Sequence, residues 1–327
     1  MSLLTDYDAM LLDLDGTVWE GGRAIPGAVD VINTADLPTV YVTNNAARAA
    51  EVVASRLQGI GLPASAADVL TSAQAAVELA VADVPAESAV LVLGTDSFRQ
   101  LAEQAGFRVV ESADDEPVAV LQGHNPETGW AQLSEAALAI RAGARYIASN
   151  LDSSLPSERG LLVGNGSMVA AVVSATGVTP LSAGKPGPAM FHSAAGKLDS
   201  KRPLVVGDRL DTDIEGGVTA GMDTFQVLTG VSGPKALLAA PLHQRPVFIG
   251  ESMTDLSREG AELRVGPQGG FTARIDGAEL VLSGGGPEAT SIHALRTALA
   301  VTWDSGGEVT TIRGEGEAAE EAVAAWW

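Results

Sequence analysis

Short runs of consecutive apolar residues that stop at an acid or an amide restrict this chain's fold more than any other feature. The run 9–14, broken only by Asp13, stops at Asp15-Gly16, TVYVT (39–43) stops at Asn44-Asn45, and PLVVG (203–207) at Asp208. VLVL (90–93), VAVL (118–121) and residues 146–148 are similar, with polar or glycine ends. A strand with one wet face alternates apolar and polar residues. An unbroken apolar run is covered on both faces, as in a parallel sheet. Helix-like stretches lie between the runs: 25–33 with Pro26 at a first-turn position, 46–58 closed by Gly59, and 130–142 with Leu133, Ala137 and Ile140 on one side. Strands interleaved with helices predict an α/β chain with a doubly wound parallel sheet.

The length of 327 residues suits two domains and a small third unit. The grammar changes near residues 250–255. Beyond it, 262–265, 271–275 and 279–282 read as short strands, with Asp276-Gly277 as a hairpin turn. A helix over 288–303, a strand over 309–312 and a helix over 317–327 complete a small α+β appendage with no catalytic grouping. The terminal Trp326-Trp327 pair is its candidate anchor for packing. Forty-one acids against 20 Lys and Arg give a net charge of −21, which repels nucleic acid and anionic membrane. No apolar run approaches the ~18 residues of a membrane span. The start, MSLLTDYDAM, has no basic region before its apolar stretch, which argues against a secretory signal. The absence of cysteine excludes disulfides, thiolate zinc sites and cysteine nucleophiles, and suits a reducing cytoplasm.

The placement of the acids carries the chemistry. Asp13 and Asp15 end one apolar run, Asp208 and Asp213 follow another, and Thr43 and Asn44 end a third. Ligands of open parallel sheets bind beyond the carboxyl ends of the strands, so these residues are expected at one edge. Converging carboxylates repel one another unless they share a hard cation with oxygen ligands. Magnesium suits few carboxylates, several waters and a substrate phosphate. Zinc is disfavoured with no cysteine and only four histidines. Any single Asp at a strand end is as readily a turn or helix cap; three such endings in one chain are not. Asp211 reads as solvated or as a turn residue, and His124, His192, His243 and His293 as structural or surface groups. Asn150 and Asp152 either face the site or cap a turn. Gly164-Asn165-Gly166-Ser167 is a helix start, read either as a plain N-cap or as backbone donors for an anion. Gly284-Gly285-Gly286 lacks the Lys-Ser/Thr of a phosphate loop.

Asp13-Leu14-Asp15-Gly16-Thr17 resembles the first motif of the haloacid dehalogenase-like phosphohydrolases. Thr43 resembles their second-motif hydroxyl, Lys185 in AGKP their third-motif lysine, and Gly207-Asp208 with Asp213 their fourth. Residues 149–171 and 184–191 are similar to the NagD, p-nitrophenylphosphatase and phosphoglycolate phosphatase branch. The resemblance covers residues 5–250. Within the branch the chain looks most like bacterial glycerol-3-phosphate phosphatases with a C-terminal extension. That extension resembles a reduced acetyltransferase-like unit, but 255–327 lacks a convincing acyl-CoA pyrophosphate loop, so acetyl transfer is not expected.

The resemblance implies a Rossmann-like core over 1–74 and 182–254, a large inserted α/β cap of the C2 type over 75–181, and a small unit over 255–327. It implies Asp13 as nucleophile, forming an aspartyl-phosphate, and Asp15 as general acid and then base. Thr43, Asn44 and Lys185 would contact the phosphoryl group. Asp13, Asp208 and the backbone carbonyl of Asp15 would hold magnesium, with Asp213 supporting them. Asn165, Gly166 and Ser167 are candidate substrate contacts from the cap. The expected reaction is hydrolysis of a small phosphorylated metabolite, with glycerol 3-phosphate first. Phosphoglycolate, a nucleoside monophosphate or a sugar phosphate are alternatives, as is a phosphate-binding regulator without turnover. No nucleic acid or membrane partner is expected, and a homodimer is left open.

Overall fold

The computed structural model describes residues 2–157, 159–306 and 309–326. The chain forms two compact units, 1–39 with 198–327, and 40–197. The predicted mixed α/β class with parallel sheets is observed.

In the first unit, strands Phe248–Gly250, Asp223–Val227, Pro203–Gly207 and Ala9–Leu12 lie side by side in that order, all parallel. Leu12 pairs with Val206, so Asp13 and Asp208 leave neighbouring strands at the same end. The central strands are buried along their whole length, as the unbroken apolar runs require. Asp223–Val227 and Phe248–Gly250 are two further buried strands after Pro203–Gly207, which the sequence presents as the last clear one. Thr224 and Gln226 break the apolar pattern of DTFQV, yet both are fully buried.

The C-terminal segment of this unit has an antiparallel pair, Phe271–Asp276 with Glu279–Gly284, and a parallel partner, Thr311–Glu315. Helices Ser291–Ser305 and Glu317–Ala324 cover it. Residues 262–265, expected as a strand, are not one: 262 and 263 end a single helical turn, Gly260–Leu263, and 264–265 form a bend after it. The Glu-Leu-Arg-Val alternation mimics a strand, but only Leu263 is buried there. The segment does not stand apart. Phe271, Leu280, Leu282, Leu295 and Leu299 share one apolar cluster with Leu210, Ile214, Leu237 and Ile249. Trp326 joins that cluster, and its indole N–H donates to Ser291 Oγ at 2.9 Å; Trp327 lies outside the described residues.

In the second unit, Thr39–Thr43 pairs in parallel with Val69–Thr71. A separate five-stranded parallel sheet has the order Leu181–Ser182, Arg145–Ala148, Ala119–Gln122, Ala89–Leu93, Arg108–Val110. Helix Trp130–Arg141 packs on it, burying Ala136, Ala139 and Ile140. Among the described residues no helix is long and apolar enough to cross a membrane.

Candidate active site

Three carboxylates meet at the end of the first unit's sheet. One oxygen from each of Asp13, Asp208 and Asp213 lies within 4.8 Å of the others. Asp13 is fixed by its N–H donating to Val206 O at 2.9 Å. Asp208 is fully buried and Asp213 is 1% exposed. Asp213 sits in the π-helical turn Leu210–Ile214, where its Oδ2 accepts the Arg209 N–H at 3.1 Å. Gly207 lets it approach: a Cβ there would lie 2.2 Å from Asp213 Cβ. Asp211, in the same turn, points away into an ion pair with Arg209 at 2.8 Å, which holds its carboxyl below the usual range.

Residues 228–232 cradle Asp208. Its Oδ2 accepts the Val231 N–H at 2.6 Å, and its carbonyl accepts the Ser232 N–H at 3.0 Å. The buried Gln226 amide is directed at the carbonyls of Asp208 and Val227, both at 2.7 Å, and of Ser232 at 3.1 Å. Thr229 Oγ1 donates to Gly16 O at 2.6 Å, joining this turn to the loop that carries Asp13 and Asp15. Gly16 has φ +91°, and a Cβ at either Gly16 or Gly230 would strike the Asp208 carboxylate, at 2.6 and 2.0 Å.

Such a cluster is costly without a cation. Two unit charges 4.8 Å apart repel by about 3 kcal/mol at an effective dielectric of about 20. The donor set is oxygen-only, and its span is one that a single hard cation bridges. The residues therefore fit magnesium, as the sequence suggests. The Asp15 carboxylate is not in this group; its Oδ1 accepts the Trp19 indole N–H at 2.9 Å.

The second unit brings together Thr43, Asn44 and Lys185. Lys185 is 4% exposed, and its Nζ donates to Val42 O at 3.1 Å. Its N–H donates to Asn44 Oδ1 at 2.9 Å. Thr43 Oγ1 accepts the Asn45 N–H at 3.2 Å. Asn44 Nδ2 reaches Asp152 at 3.2 Å, while Asn150 Nδ2 donates to Asn44 O at 2.8 Å. Asn150 and Asp152 thus brace Asn44, and Asp152 N–H also closes a turn onto Asn150 Oδ1 at 3.2 Å. Gly164 is the N-cap of helix Asn165–Thr176. The groups of 165–167 grip the turn before it: Asn165 Nδ2 donates to Asn150 O at 2.7 Å, Gly166 N–H to Asp152 O at 2.8 Å, and Ser167 Oγ to Ser153 O at 2.7 Å.

A cavity of about 120 Å³ opens where Ala119–Gln122 ends, lined by Gln122, His124, Asn125, Thr128, Val163 and Asn165 among others. Tyr146 O–H donates to Gln122 Oε1 at 2.6 Å. The Gln122 amide nitrogen is buried with no partner among the described residues. Sequence reasoning singled out neither Gln122 nor Trp19, Gln226, Thr229 and Gly230. Only the Thr229-Gly230 pair after a strand carried a usable signal, that of a tight turn at a parallel-sheet edge.

Comparison with known proteins accords with this geometry. A family profile for haloacid dehalogenase-like hydrolases matches residues 10–108, and a HAD-hydrolase-like profile matches 182–256. A GCN5-related N-acetyltransferase-like profile matches 268–326. The D-glycerol 3-phosphate phosphatase of Mycobacterium tuberculosis is 44% identical over 286 residues, 87% of this chain and 81% of the relative. A crystal structure of glycerol phosphate phosphatase from the same organism, in complex with magnesium, superposes with a TM-score of 0.95 at 40% identity, covering 100% of this chain and 98% of that one. The acid sugar phosphatase of Staphylococcus haemolyticus is 35% identical over 81% of this chain and 100% of its own length. With its carboxylate cluster, motif order and these similarities, the chain belongs to the haloacid dehalogenase-like hydrolases.

Proposed function

We propose that this protein is a magnesium-dependent phosphomonoesterase that works through an aspartyl-phosphate and acts on a small polyol phosphate, glycerol 3-phosphate first. The observation that carries the reading is the cluster of half-buried Asp13 with buried Asp208 and Asp213, with Asp15 on the same loop as Asp13. A magnesium ion held by Asp13, Asp208 and the Asp15 carbonyl, with Asp213 in support, would neutralise phosphate charge beside the carboxylates.

Asp13 attacks phosphorus as the bond to the alcohol oxygen breaks. Asp15 gives its proton to the departing alkoxide, then takes one from the water that attacks the aspartyl-phosphate. Lys185, Thr43 and the backbone of Asn44 are proposed to bind the phosphoryl oxygens; the mutual bracing of the three supports this. Asn165, Gly166 and Ser167 are proposed to serve leaving-group recognition, with Asn165 at the wall of the 120 Å³ cavity.

The proposed division is a core over 1–74 and 182–254, a cap over 75–181 and a small unit over 255–327. The separate five-stranded sheet supports the cap. A homodimer is also proposed; Trp130, 84% exposed, offers an apolar contact, and sedimentation tests it. The setting is proposed to be the cytoplasm, where charged phosphometabolites are retained.

Phosphate release from a panel of phosphometabolites, with and without magnesium, tests the function. Glycerol 3-phosphate is expected to show the highest kcat/KM, and chelation to abolish turnover. The similarity to acid sugar phosphatases favours sugar phosphates as the second reading. Tenfold preference for a sugar phosphate, phosphoglycolate or a nucleotide would replace the substrate and leave the mechanism. Full activity after chelation would remove the metal.

A further inference from the structure

We infer that Trp19 is a positioning residue for Asp15, fixing its carboxyl so that protonation of a poor leaving group is efficient. The inference rests on the phosphomonoesterase reading and deepens it.

Trp19 opens a two-stranded hairpin, Trp19–Glu20 with Arg23–Ala24. Gly21 and Gly22, at φ +57° and +83°, supply the left-handed turn that two-residue hairpins need. The hairpin is closed onto the Asp15 loop by the backbone. Gly16 N–H donates to Trp19 O at 2.8 Å, and Trp19 N–H to Leu14 O at 3.0 Å. The ring is 3% exposed, so its N–H needs a partner, and it finds Asp15 Oδ1 at 2.9 Å. The donor is buried while Asp15 itself is exposed, and a hydrogen bond to a carboxylate oxygen is charge-assisted, hence strong and directional.

The chemistry of indole suits the task. It has one N–H and no acceptor. It cannot take the Asp15 proton, and it cannot rotate to offer a lone pair, as a hydroxyl or imidazole would. Holding Oδ1 fixes the plane of the carboxyl, and with it the direction from which Asp15 can deliver a proton to the departing alkoxide. The same N–H serves before and after transfer: Oδ1 accepts it as the carbonyl oxygen of the acid and as an oxygen of the carboxylate. A bond that strengthens as negative charge appears on Asp15 favours the transition state over the ground state.

The test separates positioning from packing by leaving group. In a reaction through an aspartyl-phosphate, kcat/KM covers the steps up to alcohol release, so the later work of Asp15 as base drops out. Glycerol departs poorly without a proton, whereas 4-nitrophenolate departs without help. In Trp19→Phe, kcat/KM for glycerol 3-phosphate is expected to fall about tenfold or more, and for 4-nitrophenyl phosphate less than about threefold. In an Asp15→Asn background, Trp19→Phe is expected to leave the ratio of the two unchanged. Equal losses on both substrates, no loss, or a further change of ratio without Asp15 would each overturn the inference. If Trp19→Phe does not fold, the ¹⁵N–¹H spectrum of the five indoles decides. Asp15→Ala is expected to move one of the five resonances, and none moving would overturn the inference. A wild type that hydrolyses neither ester, or an Asp15→Asn variant with no difference between the esters, removes the underlying reading instead.

Discussion

The two units each present the carboxyl ends of parallel strands, and they finish those strands differently. In the first unit the strands run out into Asp13 and Gly207-Asp208, and the turn after them adds Asp213. In the five-stranded sheet of the second unit they run out into Gly94-Thr95, Gln122-Gly123-His124-Asn125 and Ser149-Asn150. The apolar strands before these endings are built alike and buried alike. Charged endings accumulate repulsion that only a cation relieves. Amide and glycine endings carry no charge and can bond to one another, as Asn125 Nδ2 does with Gly94 O at 2.9 Å. One scaffold thus yields a charged edge and a neutral one, and the difference lies in a few residues past each strand.

Substitutions at these endings probe that contrast. The largest effect is expected from Asp13→Asn, which keeps the shape of the charged edge and removes its proposed nucleophile. Turnover should fall by at least about a thousandfold with the melting temperature little changed. Single-turnover phosphate release checks this, and substantial activity would take the nucleophilic role from Asp13. Next is a glycine at each edge. A Cβ at Gly230 would lie 2.0 Å from Asp208 Oδ2, whereas a Cβ at Gly123 would sit 3.0 Å from Phe98 and from Ser149 Oγ. Gly230→Ala is therefore expected to weaken magnesium binding about tenfold or more, roughly 1.4 kcal/mol, and Gly123→Ala to leave it unchanged; calorimetric titration distinguishes them. Equal metal affinities would break the contrast. The smallest effect is expected from Gln122→Leu, which removes a neutral ending at the cavity. KM for glycerol 3-phosphate should rise severalfold, about 1 kcal/mol for one hydrogen bond, with 4-nitrophenyl phosphate hydrolysis unaffected. A fall in kcat on both substrates would show that the two edges do not divide the work in this way.

The sequence makes some of this legible and hides the rest for physical reasons. Thr39–Thr43 and Pro203–Gly207 have the bounds read from sequence, because β-branched or apolar runs end abruptly at polar residues. Asp13, Asp208 and Asp213 stand out because carboxylates gathered at the ends of buried strands repel one another unless a cation joins them. Helices drift: the one expected over 46–58 occupies Ala50–Gly59, and the one over 25–33 occupies Ala28–Thr34 after the left-handed N-cap Gly27. Asp223–Val227 is concealed by Gln226, whose polarity mimics exposure while its amide nitrogen is directed at three buried carbonyls. Thr229 reaches Gly16 across more than two hundred positions, and no local pattern records a contact of that span.

The shared cluster of the C-terminal segment bears on how the first unit comes apart. Arg296, fully buried in helix Ser291–Ser305, donates through Nε to Ile249 O at 3.0 Å and through Nη1 to Gln268 Oε1 at 3.2 Å. Burial lowers its pKa to about 10. Unzipping the segment would strand that guanidinium's carbonyl partner on the sheet and strip cover from Leu210 and Ile214, which flank the turn holding Asp213. Loss of the tail and loss of the carboxylate edge are then one cooperative event. Thermal unfolding of this unit should therefore show a single transition, and the segment 268–326, which resembles a GCN5-related N-acetyltransferase-like profile, should melt with the sheet that carries Asp13 and Asp208.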